Sequence, residues 1–223
     1  MVDVQAQIDS VDRAMGIEEL DGREIRVQTL GQTYRASITD VWDAVTTPDR
    51  IRRWFLPISG DLKLGGRYQL EGNAGGVIEE CTPPDGTTAQ FRVTWEFGGG
   101  ATTWLTIRLT SDAPDSTHLD LIFTGNADEL PEEMWQQFGP AATGMGWDSG
   151  LLGLALYMAG AKDGVSPEEA AAWVMTDEGK TFMRLSADAW AQVHIDFGGE
   201  PDAARTAADT TYAMYTAQSP MPG

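Results

Sequence analysis

Side chains able to do acid–base or nucleophilic work are few in this chain. There are two histidines, His118 and His194, and one cysteine, Cys81. His118 alternates with Leu119 and Leu121 in THLDLIFT, so it belongs on the wet face of a strand. His194 falls beside the apolar stripe of a C-terminal helix. Cys81, in VIEECTPP, has no neighbouring His or Lys to lower its thiol pKa, and reads as a packed strand-end thiol, not a nucleophile. A single cysteine allows no disulfide within the chain and argues against a zinc site. No HExxH, GxSxG, Walker loop or GxGxxG occurs, which disfavours hydrolase and nucleotide-enzyme readings. No metal or cofactor is expected. Carboxylates remain. Glu79 and Glu80 are consecutive in a strand, so they fall on opposite faces and one can point inward; Glu71 is similarly placed. An inward carboxyl in an apolar cavity would titrate high and could act as general acid or base. The competing reading makes all three solvated acids near turns.

The second resource is aromatic. Aromatic side chains line lipophilic pockets and fill cores alike. AQFRVTWEF puts Phe91, Val93, Trp95 and Phe97 on one face, THLDLIFT puts Leu121 and Phe123 inward, and the segment from Pro140 carries Met145 and Trp147. The expected ligand wall is Phe91, Val93, Trp95, Leu121, Phe123, Met145 and Trp147. Trp42 and Trp54 are expected in the core, and Arg92 and Arg108 point outward.

These positions need elements to hold them. Residues 1–22 read as an N-terminal arm in which Val11, Met15 and Leu20 have weak helical spacing. REIRVQTLGQTYRA reads as a first strand with a bulge at Gly31. Ser37 and Asp40 stand at capping-box spacing before VWDAV, with Asp in place of the usual Glu. Thr47-Pro48 starts a second short helix bearing Ile51, Trp54 and Phe55, and Pro57 ends it. From 58 to 125 strands alternate with turns marked by Gly65-Gly66, Asn73 to Gly76, Pro83 to Gly86, Gly98 to Gly100 and Pro114-Asp115. Strands joined by turns this short are antiparallel neighbours. After a cover segment at 128–138, AATGMGWDSGLLGLALYMAG carries Trp147, Leu151, Leu154 and Met158 at helical spacing. Gly144, Gly146, Gly150 and Gly153 interrupt it, each at a cost of up to about 1 kcal/mol relative to Ala. Such a cost points to close backbone approach, by the sheet or by a ligand. Residues 161–223 read as helical, with stripes of Phe182, Leu185, Ala189, Trp190, Val193 and Phe197, then Ala204, Ala208, Tyr212 and Tyr215. Those stripes either pack on the main domain, cap a cavity mouth, or form a homodimer seam.

The chain has 223 residues and a formal net charge of −19. That length suits one domain with an appendage. The charge repels phosphate backbones and anionic lipid surfaces, so no nucleic-acid partner is expected. No membrane span and no signal peptide are read, which makes cytoplasmic the expected location. The arginine-heavy composition suggests a GC-rich bacterial genome.

The order strand, two short helices, antiparallel meander, long helix is the helix-grip order, and the motifs fit it. SITDVWDAVTTPDRIRRWFLP, GGRYQLEG and GMGWDSGLLGL, in that order, resemble the SRPBCC (START-like) superfamily, especially the subfamily related to the activator of the heat-shock-protein-90 ATPase. The resemblance covers 23–160. Many members carry a His near the end of the last meander strand, where this chain has Phe123-Thr124-Gly125. The resemblance implies an α+β helix-grip fold, a curved antiparallel sheet wrapped around a long helix, with a helical C-terminal extension over 161–223. It also implies a cavity between sheet and helix. Three functions follow from it: binding of a small lipophilic ligand without chemistry, cyclase or dehydratase action through a buried carboxylate, and a co-chaperone-like interaction.

Overall fold

The computed structural model describes residues 3–20, 22–129, 131–161 and 163–217. Helix α1 (Val4–Asp9) precedes strands β1 (Val11–Leu20) and β2 (Arg23–Tyr34). Two short helices follow, α2 (Ile38–Thr46) and α3 (Pro48–Ile51). Then come β3 (Ile58–Gly60), β4 (Arg67–Leu70), β5 (Gly75–Thr82), β6 (Thr88–Trp95), β7 (Thr103–Ala113) and β8 (Ser116–Asn126). The chain ends in α4 (Glu132–Phe138), α5 (Ala141–Met158), α6 (Pro167–Val174), α7 (Asp177–Asp196) and α8 (Pro201–Tyr215). All strands join one sheet in the order β1-β2-β8-β7-β6-β5-β4-β3, and each neighbouring pair is antiparallel. The fold is the α+β helix-grip arrangement, with the sheet curved across α5.

Local signals explain most elements. The Ser37 side chain accepts from the Asp40 backbone N–H at 3.3 Å and caps α2. The capping box is not closed, because the Asp40 carboxylate instead accepts from Arg50 Nη1 at 2.7 Å. Glu169, one methylene longer, does close a box with Ser166 at the start of α6.

The N-terminal segment departs from expectation. Residues 11–20 form a strand paired with β2 along its whole length, from Val11 opposite Gln32 to Leu20 opposite Arg23. Its buried face runs through Val11, Arg13 and Met15. An arginine at an interior position broke the apolar alternation by which strands are recognised. The expected bulge at Gly31 is also absent, since the pairing of β2 with both neighbours runs unbroken through it. Gly31 has another cause: a Cβ there would lie 3.0 Å from Nε2 of His118. The His118 ring contacts Thr33 Oγ1 at 3.0 Å and Asp120 Oδ1 at 3.2 Å on the outer face.

The C-terminal helices bury most of their stripes within the chain, whereas Phe197 at the end of the first stripe stays exposed. Helix α7 packs on α5, α8, α6, α1 and β1, and Phe182 and Trp190 are fully buried. The Tyr215 hydroxyl donates to the Ala142 carbonyl at 3.0 Å and docks α8 on α5. Burial pushes that phenol up to about 12. Helix α5 is therefore covered on both sides, by the sheet and by α7–α8. This is why its sequence is apolar nearly all round.

A polar clasp fixes this sandwich. Asp148 of α5 is buried and accepts from Arg13 Nε at 3.1 and 3.2 Å and Nη2 at 2.8 Å. It also accepts from Ser186 Oγ at 2.5 Å and Trp190 Nε1 at 3.0 Å of α7. Desolvation pushes its carboxyl above the ordinary range, against the opposing pull of Arg13, Ser186 and Trp190. One carboxylate thus ties β1, α5 and α7 together.

Candidate functional site: an apolar cavity between sheet and helix

A cavity of about 360 Å³ lies between α5, the inner face of the sheet and the α2–α3 segment. Strand β6 contributes Phe91, Val93 and Trp95; β7 and β8 contribute Leu105, Ile107, Leu119 and Leu121. Trp147, Gly150, Leu151 and Leu154 of α5 form the opposite wall. Trp42, Ile51, Trp54 and Phe55 close one end. The rim includes Lys63, Cys81 and Pro83, all exposed.

Several polar groups of the wall are committed to the protein. The Tyr68 hydroxyl donates to the Thr94 carbonyl at 2.7 Å, and burial holds its pKa above the ordinary phenol value. Trp54 Nε1 donates to the Ala44 carbonyl at 2.9 Å, and Thr46 Oγ1 to the Trp42 carbonyl at 2.7 Å. Lys63 reaches Asp61 at 2.9 Å, with the lysine side chain 73% exposed. Trp147 differs: its Nε1 is buried without a hydrogen-bond partner. Its ring meets Trp95 edge-on at 4.9 Å and Phe123 at 5.4 Å. Aromatic contacts of this kind make a stiff wall.

Five of the expected wall residues line the cavity: Phe91, Val93, Trp95, Leu121 and Trp147. Phe123 does not; it packs behind Trp147. Met145 does not either, although it is fully buried. It lies about 200° round the helix from Trp147, at roughly 100° per residue, and so faces away from the cavity. Trp42, expected in the core, is buried there, and Trp54 packs against that core; both also line the space. An apolar helical stripe looks the same in sequence whether it meets side chains or a void.

The carboxylates fall outside. Glu71, Glu79 and Glu80 are all exposed, and none belongs to the wall. Glu71 lies in the turn after β4, and for Glu79 and Glu80 the cause is a register shift between Ile78 and Glu80 in β5. A bulge breaks strict alternation, so two consecutive residues share the outside. Glu79 lies 3.6 Å from Arg92, and Glu80 accepts from Gln90 at 3.0 Å. The same bulge lets Ile78 and Cys81, three positions apart, both reach the cavity. It also corrects the expectation for Cys81, whose residue is exposed and not packed. Among the described residues no cluster of His, Cys, Asp and Glu could hold a metal ion, and no helix is long and apolar enough to cross a membrane.

Residues 35–159 match the family described as Activator of Hsp90 ATPase homolog 1-like protein. The chain belongs to this family. Within it, similarity to solved structures extends beyond the matched core. A crystal structure of CalU16 from Micromonospora echinospora is 30% identical, with a TM-score of 0.60, over 82% of this chain and 98% of that one. A solution structure of CalU16 gives 29% identity and a TM-score of 0.64, over 83% and 96%. An Hsp90 activator from Plasmodium falciparum is 20% identical with a TM-score of 0.39, over 47% and 74%. No curated protein matches. The Activator of Hsp90 ATPase homolog 1-like match includes α2, the meander and α5, and so the whole cavity wall described above.

Proposed function

We propose that this protein binds a small, neutral, lipophilic molecule non-covalently in the cavity between the sheet and α5. The observation that carries the reading is a half-open space of about 360 Å³ with a nearly continuous apolar wall, in which Tyr68, Trp54 and Thr46 spend their polar groups on the protein itself. Neutrality follows from charge. Lys63 is the ionisable amine on the wall, and it is exposed and paired. A buried charge on the ligand would lack a partner, and the net charge of −19 repels anions. The cyclase-type reading needs an inward carboxylate, and Glu71, Glu79 and Glu80 do not supply one.

The test is a melting series with neutral lipophiles, including N-phenyl-1-naphthylamine, a sterol and a long-chain alcohol. Ligand at 100 times its dissociation constant should add about 2.7 kcal/mol. For a chain of this size that raises Tm by roughly 5–11 °C. No shift and no change in tryptophan fluorescence across the series would overturn the reading.

A further inference from the structure

Helix α5 contains four glycines in its interior, and the protein's own packing accounts for them unequally. A Cβ at Gly144 would lie 2.2 Å from the Trp190 ring, and at Gly153 it would lie 2.3 Å from the Trp54 carbonyl oxygen. At Gly146 the nearest atom is the Tyr215 hydroxyl at 3.1 Å. Gly150 is different. A Cβ there would meet the Phe55 ring at 3.7 and 3.8 Å, which is ordinary van der Waals contact. Nothing among the described residues requires a glycine at 150, yet glycine weakens a helix interior. Gly150 is also buried and lies on the cavity wall. One turn before it, Trp147 holds its unpartnered indole N–H.

We infer that Gly150 sets ligand specificity: it leaves a flat strip of helix backbone, rimmed by Phe55 and Trp147, against which the face of a planar aromatic ring system lies. The inference rests on the cavity being a ligand site and adds the class of ligand. A planar ring can approach a backbone strip closely along its whole face, and the surrounding Trp and Phe rings offer stacked and edge contacts. A methyl group at 150 would prop such a ring off the helix, whereas a flexible alkyl chain could bend around it.

The experiment compares wild type with Gly150→Ala, using thermal melts and fluorescence titration with N-phenyl-1-naphthylamine, a neutral probe carrying a planar naphthalene ring system, then displacement of that probe by 1-dodecanol. The methyl has room in the free protein, so Tm should rise by about 2–4 °C. Affinity for the planar probe should fall about five- to hundredfold, and affinity for dodecanol should change by less than about threefold. Unchanged probe affinity with raised Tm would overturn the inference and leave the cavity reading standing. A lowered Tm would overturn it too, because packing would then explain the glycine. Equal losses for probe and alcohol would overturn the planar class. Failure of wild type to bind either ligand overturns both this inference and the function it rests on.

Discussion

Arg13→Ala removes the countercharge from a carboxylate that has no access to water. The two side chains are 6% and 1% exposed. The substitution deletes three contacts to Asp148 and leaves the Ile8 and Val11 carbonyls without their Nη1 donor, now at 3.0 and 2.8 Å. Ser186 and Trp190 still donate to Asp148, but neither carries charge. Breaking a buried pair from one side costs about 3–5 kcal/mol, a large part of the roughly 5–15 kcal/mol that holds a typical domain folded. Tm should fall by about 6–20 °C. The pH dependence separates this cause from simple loss of packing. Asp148 already titrates above its ordinary range because of desolvation, and loss of Arg13 moves it further up. The folded state then binds the proton more tightly than the unfolded state, so stability is gained on acidification and lost as pH rises. Urea denaturation at pH 4.5 and pH 7.5 should show a smaller deficit for Arg13→Ala at the acid pH. Adding Asp148→Asn should recover about 1 kcal/mol or more at pH 7.5, since it removes the stranded charge. A deficit below about 1 kcal/mol that is the same at both pH values, with no recovery in the double variant, would refute the clasp.

Two other expectations concern the cavity. Val93→Phe adds volume on a wall that faces empty space, so N-phenyl-1-naphthylamine affinity should drop more than about tenfold while Tm changes by less than about 4 °C; equal affinity in a fluorescence titration would place the probe elsewhere. Cys81 is the sole thiol and sits exposed on the rim. It should react with Ellman's reagent in the folded protein, and saturating probe should slow that reaction; a rate indifferent to the probe would mean the ligand does not reach the mouth.

What the sequence disclosed, and what it concealed, follows from how far each signal reaches. Alternation in β6 fixed the inward set Phe91, Val93 and Trp95, because a regular strand offers only two faces. The same logic failed in β5, where the bulge after Ile78 has no marker among VIEEC and moved both glutamates outside while bringing Cys81 to the rim. It failed again in β1. There Arg13 occupies an inward position whose partner, Asp148, lies 135 residues away. A buried ion pair reads as two surface charges until the fold joins its halves, so the clasp had no local signal. Met145 was misplaced for a different reason. Helix α5 is buried on both sides, which removes the polar face that would orient it and makes every apolar position look like a cavity wall. The glycines carry orientation instead. Gly144 collides with Trp190 if given a side chain and so marks the α7 side, whereas Gly153 marks close approach to the Trp54 backbone. Between them, Gly150 tolerates a methyl group in the protein itself. A helix that gives up propensity at a position where its own neighbours leave room is answering to something outside the chain. A ligand held against that strip supplies such a cause, and the opposite signs expected for stability and affinity in Gly150→Ala follow from it.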